Sequence, residues 1–145
     1  MLEILFAYAA LMSVGLMPDT EYNDYLDALF LKTQKNDLLL ELEWYSSDIH
    51  RSIAIIYENC EMANLDYRIF GEVLLEKLKK AYFQNKMNIG DFCSKIYMLW
   101  EKLPCEIKLV QPFHAMSYAD DPLSWGDEKQ AREICENMFA FYSKA

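Results

Sequence analysis

The sequence predicts an all-α protein, a single domain over residues 1–145 built as a compact bundle of about seven helices. Only four glycines and four prolines occur among the 145 residues, which disfavours an architecture of many tight turns. Apolar side chains recur at three- and four-residue spacing along most of the chain, which is the period of a helix face. No segment shows the sustained alternation of apolar and polar residues that a half-buried strand requires. The hydrophobic fraction, 53%, is sufficient for a packed core in one domain of this length.

The first helix is expected over residues 2–16, where apolar side chains are almost continuous. Gly15 and Pro18 mark its end, because glycine is favoured just past a helix and proline shortly after it. The segment lacks the basic start and small-residue cleavage site of a secretory signal. It is also too short and too interrupted to span a bilayer. We therefore predict a buried helix and no membrane association.

Residues that commonly cap helices predict where the next five helices start. They are Asp19 or Thr20 for the second helix, Asn36 or Asp37 for the third, residues 46–48 for the fourth, Asp66 for the fifth and Asn88 for the sixth. Along the third helix, the apolar spacing leaves Glu41 and Glu43 toward solvent.

The final helix is expected to begin at Ser124, because Ser124 and Asp127 have the spacing of a capping box with Asp in place of Glu. Before it, residues 104–123 contain three prolines and are predicted to form short helix and loop. A loop of about this length in a compact domain is often functional.

The chain is acidic, with 14 basic against 23 acidic residues and a net charge of −9. A charge of this sign repels phosphate backbones, so direct binding of nucleic acid is not expected. Residues 19–48 carry eight acids against two lysines, whereas residues 67–103 carry seven basic residues against four acids. This distribution predicts a molecule with one strongly acidic side.

The four cysteines, Cys60, Cys93, Cys105 and Cys135, are widely spaced and include no close pair of the kind found in zinc sites or redox motifs. Cysteine is among the most buried residue types, and disulfides are rare in the reducing cytosol. We expect four buried, reduced thiols and a cytoplasmic protein, with two disulfides as the alternative.

Common catalytic patterns are missing from the sequence. Neither of the two histidines has a second ligand at the spacing of a metal-binding motif, and four glycines are too few for a usual phosphate-binding loop. We therefore expect no metal, no cofactor and no enzymatic activity. One alternative stays open, an unfamiliar enzyme that uses the loop of residues 112–121 through His114 and Asp120 or Asp121.

Two groups of residues combine acids with aromatic side chains, a mixture that suits a basic protein partner with apolar contacts. The first group lies on the second and third helices and comprises Asp24, Asp27, Glu41, Glu43 and Trp44. The second group lies just before the final helix and comprises Asp120, Asp121 and Trp125. The alternatives are a solvated acidic face for the first group and, for Trp125, a side chain that staples the start of the final helix onto the core.

In size, charge and layout the whole chain resembles the immunity proteins of bacterial contact-dependent and polymorphic toxin systems. The resemblance is carried by the acids Asp19, Glu21, Asp24 and Asp27, by residues 38–45 and by residues 122–128. It implies a cytoplasmic protein without catalytic residues that binds a cognate toxin domain, such as a nuclease, and covers its basic surface. The competing interpretation is a helical regulator or nucleic-acid mimic that binds a DNA- or RNA-binding protein.

Overall fold

The computed structural model describes residues 1–33, 35–84 and 87–142, which form eight α-helices and two 3-10 helices and contain no strand. The α-helices are α1 (Leu2–Ser13), α2 (Asp19–Lys32), α3 (Asp37–Trp44), α4 (Ile49–Glu61), α5 (Tyr67–Gln84), α6 (Ile89–Glu101), α7 (Cys105–Lys108) and α8 (Glu128–Phe139). The 3-10 helices span Phe113–Ser117 and Asp121–Trp125. The predicted all-α class is confirmed. The expected count of about seven is too low, because the proline-rich stretch between α6 and α8 holds α7 and both 3-10 helices.

Helix α1 lies at the centre of the fold. Residues 5–11 are all buried, and the helix packs mainly against α4 and α5, with further contacts to α2 and α6. A helix that is apolar on every side belongs in a core, so the prediction of a buried first helix is confirmed. It ends at Ser13 and not at Leu16, and Gly15 then adopts a left-handed backbone with a φ of 75°, a conformation that glycine tolerates best.

Most of the predicted caps form. The side-chain oxygens of Asn36 and Asp48 each accept a hydrogen bond at 3.1 Å from the backbone N–H three residues later. Asn88 accepts the equivalent bond at 2.8 Å. Asp66 accepts one at 3.0 Å from the backbone of Arg68. Each bond satisfies a backbone donor that the first turn of a helix leaves without a partner.

Two predicted helix caps are wrong. Asp19 is the first residue of α2 and Pro18 precedes it as a cap residue without a side-chain bond, so neither Asp19 nor Thr20 caps the helix. The final helix is capped by Asp127, whose carboxylate accepts from the backbone of Gln130 at 3.0 Å. Ser124 instead lies inside the second 3-10 helix. Gly126 lies between these two helices and has a left-handed backbone with a φ of 77°. This turn ends the 3-10 helix before α8 begins.

Helix α5 packs closely against Phe113 and Tyr142 at Gly71. A Cβ atom on Gly71 would lie 2.5 Å from Cζ of Phe113 and 2.8 Å from the hydroxyl of Tyr142. These separations are too short for non-bonded atoms, so the absence of a side chain at Gly71 permits the contact.

All four cysteines are free, but they are not all buried. Cys93 and Cys135 are buried, Cys60 is half-buried and Cys105 is exposed. The expectation of four buried thiols is therefore wrong for Cys105, because this residue begins the short surface helix α7. In the described part of the chain, no helix has the length and apolar character needed to cross a bilayer.

Candidate functional site

The predicted site residues fall on two separate parts of the fold. Asp24 and Asp27 lie on α2, and Glu41, Glu43 and Trp44 lie on α3, which packs against α2. Asp120, Asp121 and Trp125 belong to a segment, residues 120–125, that packs through its 3-10 helix on α8. The structure thus places the first group on the α2 and α3 pair and the second group in the segment beside α8.

Trp44 is the most exposed residue of the first group for its size and is 82% exposed. Leu40, one helical turn earlier, is 46% exposed, and Asp27 on α2 and Glu41 on α3 are also exposed. A tryptophan buries between about 150 and 250 Å² when it is covered, so a large apolar area is available here among acids. We call the exposed side chains of Asp27, Leu40, Glu41 and Trp44 on this helix pair the α2–α3 face.

Glu43 does not point freely toward solvent as predicted. It is half-buried, and its Oε1 atom is shielded from solvent without a hydrogen-bond partner. Burial raises the pKa of Glu43, and the adjacent Asp27 carboxyl raises it further. The helical period explains the difference from Glu41: successive positions turn by about 100°, so Glu43 faces α2 when Glu41 faces outward.

Beneath the α2–α3 face lies a polar cluster that the sequence analysis missed. Tyr22 is fully buried and its hydroxyl has no hydrogen bond of good geometry, and Oδ1 of Asn23 is buried without a partner. Burial raises the pKa of Tyr22 to about 12, opposed by the nearby Ser52 hydroxyl and assisted by the Glu43 charge. Ser52, also fully buried, donates to the backbone oxygen of Tyr45 at 2.9 Å. Tyr22, Ser52 and Glu43 therefore lie close together where α2, α3 and α4 meet.

The other side of α2 is less acidic than its sequence suggests. Oε1 of Glu21 accepts from Nζ of Lys77 at 3.1 Å and from Nζ of Lys80 at 2.9 Å. Partial burial opposes ionisation of Glu21, but the hydrogen bonds from Lys80 and Lys77 outweigh it and lower its pKa. Asp24 lines an open cleft of about 470 Å³ together with these two lysines. Two lysines of the basic 67–103 segment thus offset the charge of Glu21. Lys86 of the same segment lies outside the described residues.

In the segment of residues 120–125, Asp120, Asp121 and Trp125 are exposed. Because 63% of Trp125 is exposed, it does not staple the start of α8 onto the core. His114 is half-buried and packs its ring edge-on against Tyr118, with 5.5 Å between ring centroids. Over residues 1–33, 35–84 and 87–142, no hydrogen bond or ion pair joins His114 to Asp120 or Asp121.

Among the described residues, no group of three or more His, Cys, Asp or Glu side chains is placed to hold a metal ion. No protein-family model matches the chain, and the comparisons with curated proteins and with solved structures also gave no match.

Proposed function

We propose that the protein is a cytoplasmic immunity protein that binds a cognate toxin domain and neutralises it by covering a basic surface. The observation that carries the proposal is the exposure of Trp44, 82%, among the acids of the α2–α3 face. Tryptophan is enriched among the residues that dominate binding energy at protein interfaces. The resemblance in size, charge and layout to immunity proteins supports the class of partner.

The α2–α3 face combines two contributions that act on different steps of binding. Its acids, in a chain with a net charge of −9, attract a basic partner and raise the association rate. Trp44 and Leu40 offer apolar surface whose burial slows dissociation. A nuclease domain fits this chemistry, because its active site must be basic enough to hold nucleic acid.

The proposal predicts a basic toxin domain encoded next to this gene, and it is tested by expressing that domain and this chain in the same bacterial cell. We expect the wild-type chain to restore colony formation, and we expect Trp44→Ala to weaken the purified complex by at least about 30-fold, the loss typical of an interface hot spot. Trp125→Ala is the matched control, since it also removes an exposed tryptophan but from residues 120–125.

Three results contradict this assignment. If Trp125→Ala is the damaging change and Trp44→Ala is harmless, the interface lies on residues 120–125. If the chain fails to protect but displaces nucleic acid from a DNA- or RNA-binding protein, the competing mimic function is correct. If His114→Ala abolishes a turnover reaction of the purified chain, the protein is an enzyme.

A further inference from the structure

A cleft of about 350 Å³ opens between the end of α4, the start of α5 and the turn that leads into α7. Its walls include the side chains of Phe6, Tyr57, Leu65 and Tyr67. Phe6 is buried and packs edge-on against Tyr57, with 5.6 Å between ring centroids, and the other three residues are half-buried. Ligand sites in proteins are concave and mostly apolar and enclose about 300 Å³ or more. This cleft has both the size and the walls of such a site.

The charged residues of the cleft are Glu61, Glu106 and Lys102, and all three are exposed. None of them takes part in an ion pair within residues 1–33, 35–84 and 87–142. Two carboxylates against one ammonium leave the lining with an excess of negative charge. The Tyr67 hydroxyl donates to Oε2 of Glu106 at 3.5 Å, which keeps this carboxylate beside the aromatic wall. Cys60 also lines the cleft but adds no charge at pH 7, because burial raises the pKa of its thiol to about 12.

Met62 extends this site beyond the cleft itself. It lies between Glu61 and Ala63, which both line the cleft, and it is 91% exposed. Methionine is enriched at protein interfaces relative to the rest of the surface. A free small cation would fill the cleft and leave Met62 in water, whereas a protein surface covers both. The occupant that suits the whole site is therefore a side chain of a partner protein.

We propose that this cleft binds a lysine side chain of the partner protein. The inference rests on the proposed function, because it gives the basic toxin domain a second contact outside the α2–α3 face. The four-carbon stem of lysine packs along Leu65 and the aromatic walls, and its ammonium group stays in water beside Glu61 and Glu106. A lysine thus matches the apolar walls and the excess negative charge at the same time.

Two other side chains match the cleft less well. The guanidinium of arginine is more weakly hydrated than ammonium and gains from this where water is excluded, but Glu61 and Glu106 are exposed. A carboxylate would find a countercharge in Lys102, but it would also meet the two glutamates, and like charges placed together weaken binding.

The test is a nuclear magnetic resonance titration of the isolated, intact chain with n-butylammonium, which reproduces the side chain of lysine. Butan-1-ol, butyrate and n-propylguanidinium are titrated in parallel. We expect n-butylammonium to give saturable shifts of the Leu65 and Tyr67 amide signals. Butan-1-ol should bind about threefold more weakly, because an exposed ion pair strengthens binding by about this factor. Butyrate should bind more weakly still.

The carboxylates are tested by the double variant Glu61→Gln with Glu106→Gln. It should bind n-butylammonium no more tightly than butan-1-ol, with its affinity for butan-1-ol within about twofold of the wild type. Glu58→Gln with Glu101→Gln is the matched control, since both acids are exposed, lie outside the cleft and give the same change in net charge. This control should alter n-butylammonium binding by less than about twofold. Backbone amide spectra establish that both variants remain folded.

Cys60 supplies a second readout, because it lines the cleft and is half-buried. In the Cys105→Ser variant, which lacks the exposed thiol, saturating n-butylammonium should slow the reaction of Cys60 with a disulfide reagent by at least about threefold, since this reaction depends on access. The bound toxin domain should slow it as well.

Several outcomes overturn the proposal. The absence of a saturable shift, equal binding of n-butylammonium and butan-1-ol, or equal losses in the two double variants would show that the cleft selects no cation. Tighter binding of butyrate or of n-propylguanidinium would assign the cleft to an acid or to an arginine. A toxin domain that binds the chain and leaves Cys60 fully reactive would place the lysine contact elsewhere. Because the titration needs no toxin, its failure leaves the immunity function standing, and a failure of colony protection does not change the titration.

Discussion

Glu43 shows how one half-buried carboxyl group couples stability to pH. Its pKa lies above the ordinary value of 4.5 in the folded protein, through burial first and the adjacent Asp27 second. The folded state therefore holds this proton more tightly than the unfolded chain does. The resulting stabilisation is fully present below the ordinary pKa and is lost as the pH rises through the raised folded pKa.

We predict that Glu43→Gln raises the free energy of unfolding at pH 7 by about 1 kcal/mol, because the amide cannot ionise and can donate to Asp27. Urea unfolding at pH 7 and at pH 4 measures the effect, which should shrink at the lower pH. Glu41→Gln is the control and should stay within about 0.5 kcal/mol of the wild type at both values. A loss of stability at pH 7 in Glu43→Gln would show that the ionised carboxylate is favourable in this position.

The thiols should separate into classes when the native protein is titrated with a disulfide reagent. Cys105 is exposed and should react first. Cys60 should react slowly, because burial raises its pKa to about 12 and the thiolate is the reactive form. Cys93 and Cys135 are buried and should react only after unfolding. Cys105→Ser should remove the fast phase alone, and a fast phase that persists in this variant would contradict the assignment.

At the scale of single elements, the start of α8 gives a sharp comparison. We predict that Asp127→Ala lowers the free energy of unfolding by about 1 kcal/mol, the usual cost of a lost N-cap. Ser124→Ala should cost less than about 0.5 kcal/mol, because Ser124 is exposed and its hydroxyl bonds only the backbone of Asp121 within the 3-10 helix. Thermal or urea unfolding of the two variants shows which residue caps α8. A larger loss of stability in Ser124→Ala would support the capping box predicted from the sequence.

These elements also show which parts of the structure were predictable from sequence. The caps at Asn36, Asp48 and Asn88 depend on contacts within three residues, so local spacing predicted them. The start of α8 was missed because a 3-10 helix and the left-handed Gly126 intervene, and neither changes the apolar spacing. The position of Glu43 was missed for a different reason, since it depends on how α3 packs against α2 and the sequence of α3 alone does not contain that information.

At the scale of the whole molecule, the unpaired acidic surface is smaller than the sequence predicts. Lys77 and Lys80 offset the charge of Glu21, whereas the described residues supply no ion pair to Asp27 or Glu43. Steering of a basic partner should therefore be strongest toward the α2–α3 face, within a Debye length of about 8 Å at physiological salt.

We predict that the double variant Asp27→Lys with Glu41→Lys binds the toxin domain about tenfold more slowly at low salt and much less so at high salt. Trp44→Ala should instead speed dissociation at every salt concentration, because apolar contacts are not screened. Surface plasmon resonance over a salt series separates the two effects. Asp120→Lys with Asp121→Lys is the control with the same charge change, and an equal slowing by this pair would mean that net charge alone controls association.

The central position of α1 has a consequence for how the chain is made. Ribosomes add roughly 5 to 20 residues per second, so between about 4 and 14 seconds separate synthesis of Ser13 from synthesis of Gln84 at the end of α5. During that interval the most apolar segment of the protein has been synthesised, but the helices that enclose it are incomplete. Native packing around α1 therefore forms only after α5 has emerged, because α5 supplies a large part of the surface that covers it.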